Sequence, residues 1–254
     1  MAGPSAVVTR RRRGLLWPGV FAAVGVAVLL ALGTWQLQRL AWKESLLSAI
    51  DARIHQAPAP IRPPSDWPSL KPEDYEYRRV SVAGMFEHAK EALVFRPQGT
   101  GAAQTEGPGY LVLTPLRLSD GTYVIVDRGF VPAARGDPST RPGGQIAGEV
   151  TITGLMRSPE QRNLFTPADD PDKGQWYTRD PALIAAHFKL DRTAPFSIDA
   201  DDTPVPGGWP KGGQTVLAIP NDHLQYALTW YGLAATLVGV FAAYAWSRRG
   251  GPVG

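Results

Sequence analysis

The stretches GLLWPGVFAAVGVAVLLALGTWQL (residues 14–37) and LQYALTWYGLAATLVGVFAAYAW (residues 224–246) decide how this chain is built. Neither contains a charged residue. At a rise of about 1.5 Å per residue, either one crosses a hydrocarbon layer of about 30 Å as a helix. They stand near opposite ends of the 254 residues, so the chain reads as a two-span membrane hairpin with everything between the spans on one side of the bilayer.

The flanks predict which side. Arg10, Arg11, Arg12 and Arg13 precede the first span and Arg248 and Arg249 follow the second, which predicts cytoplasmic termini and an extracytoplasmic centre. A cleaved leader competes for the first span, because Ala31 and Gly33 are small residues at cleavage-like spacing. The apolar run outlasts the roughly 7 to 15 residues of a leader's core, and Trp35 and Trp42 suit an uncleaved helix anchored at an interface. The expected organisation is a basic cytoplasmic N-terminus (1–13), a transmembrane helix (14–37), a helical extension and proline-rich connector (38–76), a β-rich domain (77–222), a second transmembrane helix (223–246) and a cytoplasmic tail (247–254).

Composition sets further limits. The net charge of +3 comes from the terminal arginines, leaving no basic face on the centre for a nucleic acid. The chain has no cysteine, so it carries no disulfide framework and no thiolate for copper, zinc or an iron–sulfur cluster.

Between the spans, Leu40 to Ile54 continues with helical character, and Ala57 to Pro72 is too proline-rich for regular structure. Short β-favouring runs follow: Arg79 to Phe86, Ala92 to Phe95, Tyr110 to Leu118, Thr122 to Phe130, Glu149 to Leu155 and Gln175 to Thr178. Ser119, Asp120 and Gly121 make a tight hairpin turn between the third and fourth runs. Asp180 caps a short helix to Phe188, with Pro181 in its first position, and Thr215 to Ile219 forms a last strand. The fold class predicted is membrane α+β: two transmembrane helices flanking an extracytoplasmic, antiparallel β-rich, barrel-like domain with one short helix.

Few patterns carry chemistry. There is no nucleophile elbow, zinc helix or phosphate loop, so no residues can be assigned to catalysis and the protein is expected not to be an enzyme. Asp170, Asp172 and Gly174 imitate part of a calcium loop without its later ligands and read as a solvated acidic loop, as do Asp199, Asp201 and Asp202. His55 and His88 read as surface residues, and His187 as packing or capping on the short helix.

His223 is placed differently. Asn221 or Asp222 can cap the second span, which leaves His223 in its first turn with Tyr226, Ala227 and Trp230 on the same face. A neutral imidazole over such a face has the makings of an axial ligand for a flat apolar macrocycle. An interfacial histidine that only hydrogen-bonds its surroundings fits the same residues. On the first span, Trp35, Arg39 and Trp42 share a face, where a guanidinium could grip a carboxylate or merely snorkel.

Six ordered motifs add a resemblance: Gly33-Thr-Trp35-Gln36 with Arg39 and Trp42-Lys43; Tyr77-Arg78-Arg79-Val80 with Gly84 and Phe86; Gly109-Tyr110 with Thr114-Pro115-Leu116; Asp127-Arg128-Gly129-Phe130-Val131-Pro132; Gln175-Trp176-Tyr177; and Asn221-Asp222-His223-Leu-Gln-Tyr226-Ala-Leu-Thr-Trp230-Tyr231. Together they closely resemble the Surf1 family of cytochrome c oxidase assembly factors, in the style of a bacterial, alphaproteobacteria-like member. The resemblance implies a protein of the cell inner membrane that binds haem a, receives it from haem a synthase and passes it toward oxidase subunit I. It makes His223 the axial ligand of the haem iron, and helical spacing alone adds Tyr226, Trp230, Arg39 and Trp35 as the lining of the site. A membrane scaffold for oxidase subunits is the alternative. Asp127 and Phe130 depart from the asparagine and tryptophan frequent in relatives.

Overall fold

The computed structural model describes residues 14–104, 106–215 and 221–249, with the side chains of Ala102 and Arg249 left out. The chain divides into two units, residues 1–48 with 219–254, and residues 49–218.

The first unit is a pair of helices. Helix α1 (Leu16–Ile54) does not stop where its apolar run ends but continues unbroken through Leu40 to Ile54, about 58 Å in all. Helix α4 (His223–Arg249) starts at the histidine itself. Both are long and apolar enough to cross a membrane. Their outward faces carry exposed apolar side chains, among them Phe21, Val24, Val28, Leu228, Leu233 and Val238, which suits lipid rather than water. Tyr231 packs on Gly33, Leu237 on Gly25 and Phe241 on Gly19, so the helices run antiparallel with glycines opposite large side chains.

The second unit is a strongly curved seven-stranded sheet. Its strands are β1 (Ala59–Pro60), β2 (Arg79–Phe86), β3 (Ala92–Arg96), β4 (Gly109–Arg117), β5 (Tyr123–Pro132), β6 (Glu149–Arg157) and β7 (Thr193–Ala200), with helices α2 (Pro72–Tyr75) and α3 (Pro181–Phe188). The order is β1-β2-β6-β7-β5-β4-β3, and a second pairing of β2 with β4, through Met85↔Arg117 and Phe86↔Leu116, closes five strands into a barrel-like ring. Val80, Val82, Leu116, Val124, Val126, Phe196 and Ile198 fill one core, while Ile125, Leu111, Leu113 and Phe130 pack with Trp176 and with Ile184 of α3 in another. Alternating residues of β5 thus serve two cores.

The hairpin turn stands as predicted. Asp120 accepts from the Thr122 amide at 2.9 Å, and Gly121 takes a φ of +79° that a side chain would oppose. Helix α3 is also capped as expected, with Asp180 accepting from the Ala182 amide at 2.9 Å.

Several expectations are corrected. The sheet is mixed rather than antiparallel, because β7 pairs with β5 in parallel and β1 with β2 likewise. Strand β7 was not among the predicted runs, since Thr-Ala-Pro-Phe-Ser-Ile-Asp-Ala has weak alternation, yet it lies between β5 and β6. Gln175 to Thr178 forms only isolated bridges, Val94↔Trp176 and Asp170↔Gln175. The proline-rich connector does hold structure, supplying β1 at Ala59, because proline is tolerated at a sheet edge. The strand expected over Thr215 to Ile219 falls, beyond Thr215, outside the described residues.

Candidate functional site

Where α4 begins, Nδ1 of His223 lies 2.7 Å from Oε1 of Gln36 on α1. An amide oxygen only accepts, so the imidazole must donate from Nδ1, and in the neutral ring Nε2 keeps the lone pair. Nε2 has no hydrogen-bond partner among the described residues. One such fixed nitrogen is what a metal-ligating histidine needs, because the bond at the other nitrogen sets tautomer and orientation. Two turns along α4, the Tyr231 hydroxyl meets Thr34 Oγ1 at 3.1 Å, and Thr34 also donates to the Leu30 carbonyl at 2.8 Å. Thr34 and Gln36 thus join α1 to α4 on either side of Trp35.

The predicted companions are placed as follows. Ala227 is buried, Trp230 is half-buried and Tyr226 is exposed, so only part of that face of α4 is open. Trp35 is half-exposed, and the Arg39 guanidinium lies 4.9 Å from the centre of the Trp42 ring. Gln36 had no role in the sequence reading beyond the family motif. Its signal was a lone amide at the end of an otherwise apolar run.

The β-rich unit holds a second concentration of chemistry. Asp127 on β5 and Asp199 on β7 are register partners on neighbouring parallel strands. Asp199 accepts from Arg157 at 2.9 Å, from the Thr215 hydroxyl at 2.6 Å and from Arg179 at 3.2 Å. It is therefore a buried residue at the centre of an ion-pair network and not part of a solvated loop, because β7 carries it into the sheet. Burial, and then the Asp199 carboxylate, push the Asp127 carboxyl up to about 7 against the opposing pull of Arg179.

A bulge explains how Asp127 gets there. Leu113 faces Asp127 and Leu111 faces Phe130, so one residue of β4 opposes two of β5. The extra residue falls at Gly129, whose φ of +113° and close approach to the Lys211 carbonyl leave no room for a Cβ. Asp127 and Phe130 consequently face the same side, and Arg128 turns to the other.

There Arg128 meets Glu91 at 2.9 Å and Arg141 meets the same carboxylate at 2.6 Å. His88 belongs to this cluster and is not a surface residue: Nε2 lies 2.9 Å from the Ile146 carbonyl and Nδ1 3.1 Å from Arg128. Burial opposes ionisation of Glu91, but the His88 and Arg141 hydrogen bonds, with the charges of Arg141 and Arg128, outweigh it and hold the carboxyl at about 2. His55 is exposed as expected, and His187 packs edge-on against Trp176, 5.4 Å between ring centres. Among the described residues, no group of three or more His, Cys, Asp or Glu could hold a metal ion.

The SURF1 family profile matches residues 23–235, more than half of the chain. The chain belongs to the SURF1 family. It is 38% identical over 233 residues to surfeit locus protein 1 of Rattus norvegicus, covering 88% of this chain and 72% of the relative. The protein of that name from Homo sapiens is 38% identical over 231 residues, 86% of this chain and 72% of the relative. A SURF1-like protein of Monosiga brevicollis is 37% identical over 256 residues, 97% of this chain and 92% of the relative. The SURF1 match spans Gln36, Arg39 and His223 as well as the whole β-rich unit.

Proposed function

We propose that this protein is an assembly factor for cytochrome c oxidase that binds haem a at His223 and assists its delivery into oxidase subunit I. The observation that carries the reading is the Nδ1 contact to Gln36, which leaves Nε2 of His223 with its lone pair at the end of an apolar helix pair. Iron in haem accepts such a nitrogen. Trp230 and the exposed Tyr226 offer aromatic surface near it, with Trp35 beside Gln36, and Arg39 supplies a cation for a propionate. His223 as a single protein ligand leaves the opposite face exchangeable, which suits a carrier that must release its cargo. The protein acts by binding and handover rather than by catalysis.

The basic flanks support a cell inner membrane location with both termini cytoplasmic and the β-rich unit outside. Haem a synthase is the proposed donor, subunit I the recipient, and the lipid bilayer the surrounding medium.

A scaffold role is favoured by one feature. Leu164 and Phe165 are almost fully exposed on a turn held by Asn163, which accepts from the Phe165 amide at 2.8 Å. Such an apolar tip suits contact with an oxidase subunit. The test separates the two readings: purify the protein and a His223→Ala variant from haem a-producing cells and compare haem per protein by absorbance. Loss of haem with unchanged membrane insertion is expected. Equal haem in both removes His223 as the ligand and leaves the scaffold.

A further inference from the structure

The outer side of β5, β6 and β7 borders a cavity of about 210 Å³, lined among others by Arg96, Asp127, Arg157, Glu160, Arg179 and Asp199. Guanidinium and carboxylate groups are balanced there in number but not in engagement. Arg96 is spent on Glu160 at 2.6 Å, and Arg157 on Asp199 and Glu76, each at 2.9 Å. Arg179 is only 9% exposed, and its Nε is buried with no hydrogen-bond partner among the described residues. One oxygen of Asp127 accepts from the Gly129 amide at 2.9 Å, while Oδ2 lies 3.8 Å from Arg179, too far for a hydrogen bond. Among the residues lining one cavity, a buried donor thus lacks an acceptor and a carboxyl oxygen lacks a donor, and each is costly unless something completes it.

We propose that this cavity binds a small carboxylate, which accepts a hydrogen bond from Nε of Arg179 and lies against the unengaged Oδ2 of Asp127. The three arginines lining the space disfavour a cation. The carboxyl groups of Asp199 and Glu160, already paired with the arginines, leave little positive charge for a second negative charge on the ligand, so a monoanion fits best. Burial and the neighbouring Asp199 already favour the proton on Asp127, with Arg179 and Arg96 opposing, and Arg157 and Glu160 complete the charged groups facing the space. Binding therefore draws a proton, and the site weakens as Asp127 ionises.

Two sources share this chemistry, a free short acid and the carboxylate of a peptide terminus. The test is calorimetric titration of the full chain in detergent with propionate and, separately, N-acetylglycine, at pH 6 and pH 8 and constant ionic strength. Affinity for the carboxylate is expected to fall about tenfold at pH 8, following the protonated fraction of Asp127. Preference for propionate points to the free acid, and preference for N-acetylglycine to a chain terminus. Asp127→Asn should bind equally at both pH values, because its amide donates regardless of pH. Arg179→Lys, checked for folding by circular dichroism, should bind more weakly than the parent at pH 6. The proposal is overturned by an absence of heat with both carboxylates at millimolar concentration, by equal affinity of the parent protein at both pH values, or by preferential binding of ethylammonium.

Discussion

Gln36 and His223 face each other across two helices at 2.7 Å, and the direction of that hydrogen bond fixes which imidazole nitrogen is left free. Because the amide oxygen cannot donate, Nε2 is the nitrogen that keeps its lone pair in the neutral ring. The relationship makes Gln36 a positioning residue for the proposed haem site.

Gln36→Leu removes the acceptor and lets the ring rotate and change tautomer. Haem affinity is expected to fall by about 10- to 100-fold, less than the loss in His223→Ala. Gln36→Glu, which keeps an acceptor, should retain most of the binding. Absorbance titration of the apoprotein measures all three, and unchanged affinity in Gln36→Leu shows that the contact does not orient the ring.

Gly33 lies under the ring of Tyr231, where an added Cβ falls 2.8 Å from the nearest ring atom. Gly33→Val should therefore force the helices apart and cost about 1–3 kcal/mol, with Gly33→Ala less affected. Denaturation in mixed detergent micelles reads this as a lower unfolding midpoint. Parent-like stability in Gly33→Val means that the helix pair is not packed through this contact.

Glu91 neutralises two buried guanidiniums, those of Arg128 and Arg141. Glu91→Ala leaves both without their counter-charge and is expected to cost about 3–5 kcal/mol in chemical denaturation. In the parent protein the Glu91 carboxyl sits at about 2 instead of 4.5, so its contribution is present above 4.5 and is lost as pH falls toward 2. An acid-unfolding curve unchanged by Glu91→Gln contradicts this assignment.

Asp127 shows the opposite sign. Its carboxyl is raised from 3.8 to about 7, so the folded state holds the proton more tightly, and this contribution is full below 3.8 and lost as pH rises through 7. Asp127→Asn should abolish that slope and be more stable than the parent at pH 8 than at pH 5, relative to the parent at each pH. Parallel stability curves between pH 5 and pH 8 rule out a proton held on Asp127.

The positions of β2 to β6 were legible because they are short runs of β-favouring residues bounded by turn residues such as Asp120 and Gly121. Strand β7 was not, because Pro195 and Asp199 are poor strand residues and the burial of Asp199 comes from neighbours far along the chain. Asp199 was misplaced for the same reason. A lone aspartate resembles a solvated one until Arg157 and Arg179 are brought to it. His88 likewise became part of a cluster only through its contacts with Ile146 and Arg128.

The sequence alone determined that two long apolar helices bracket a β-rich unit, and which family motifs the chain carries, because hydropathy and strand periodicity are local properties of the chain. It also put His223 in the first turn of the second helix. Only the tertiary structure decided that Gln36 fixes the imidazole, that parallel pairing makes the sheet mixed, and that Asp127 and Asp199 lie side by side among arginines. Those outcomes depend on which distant segments pack together, and hydrogen-bond direction and charge pairing exist only once they do.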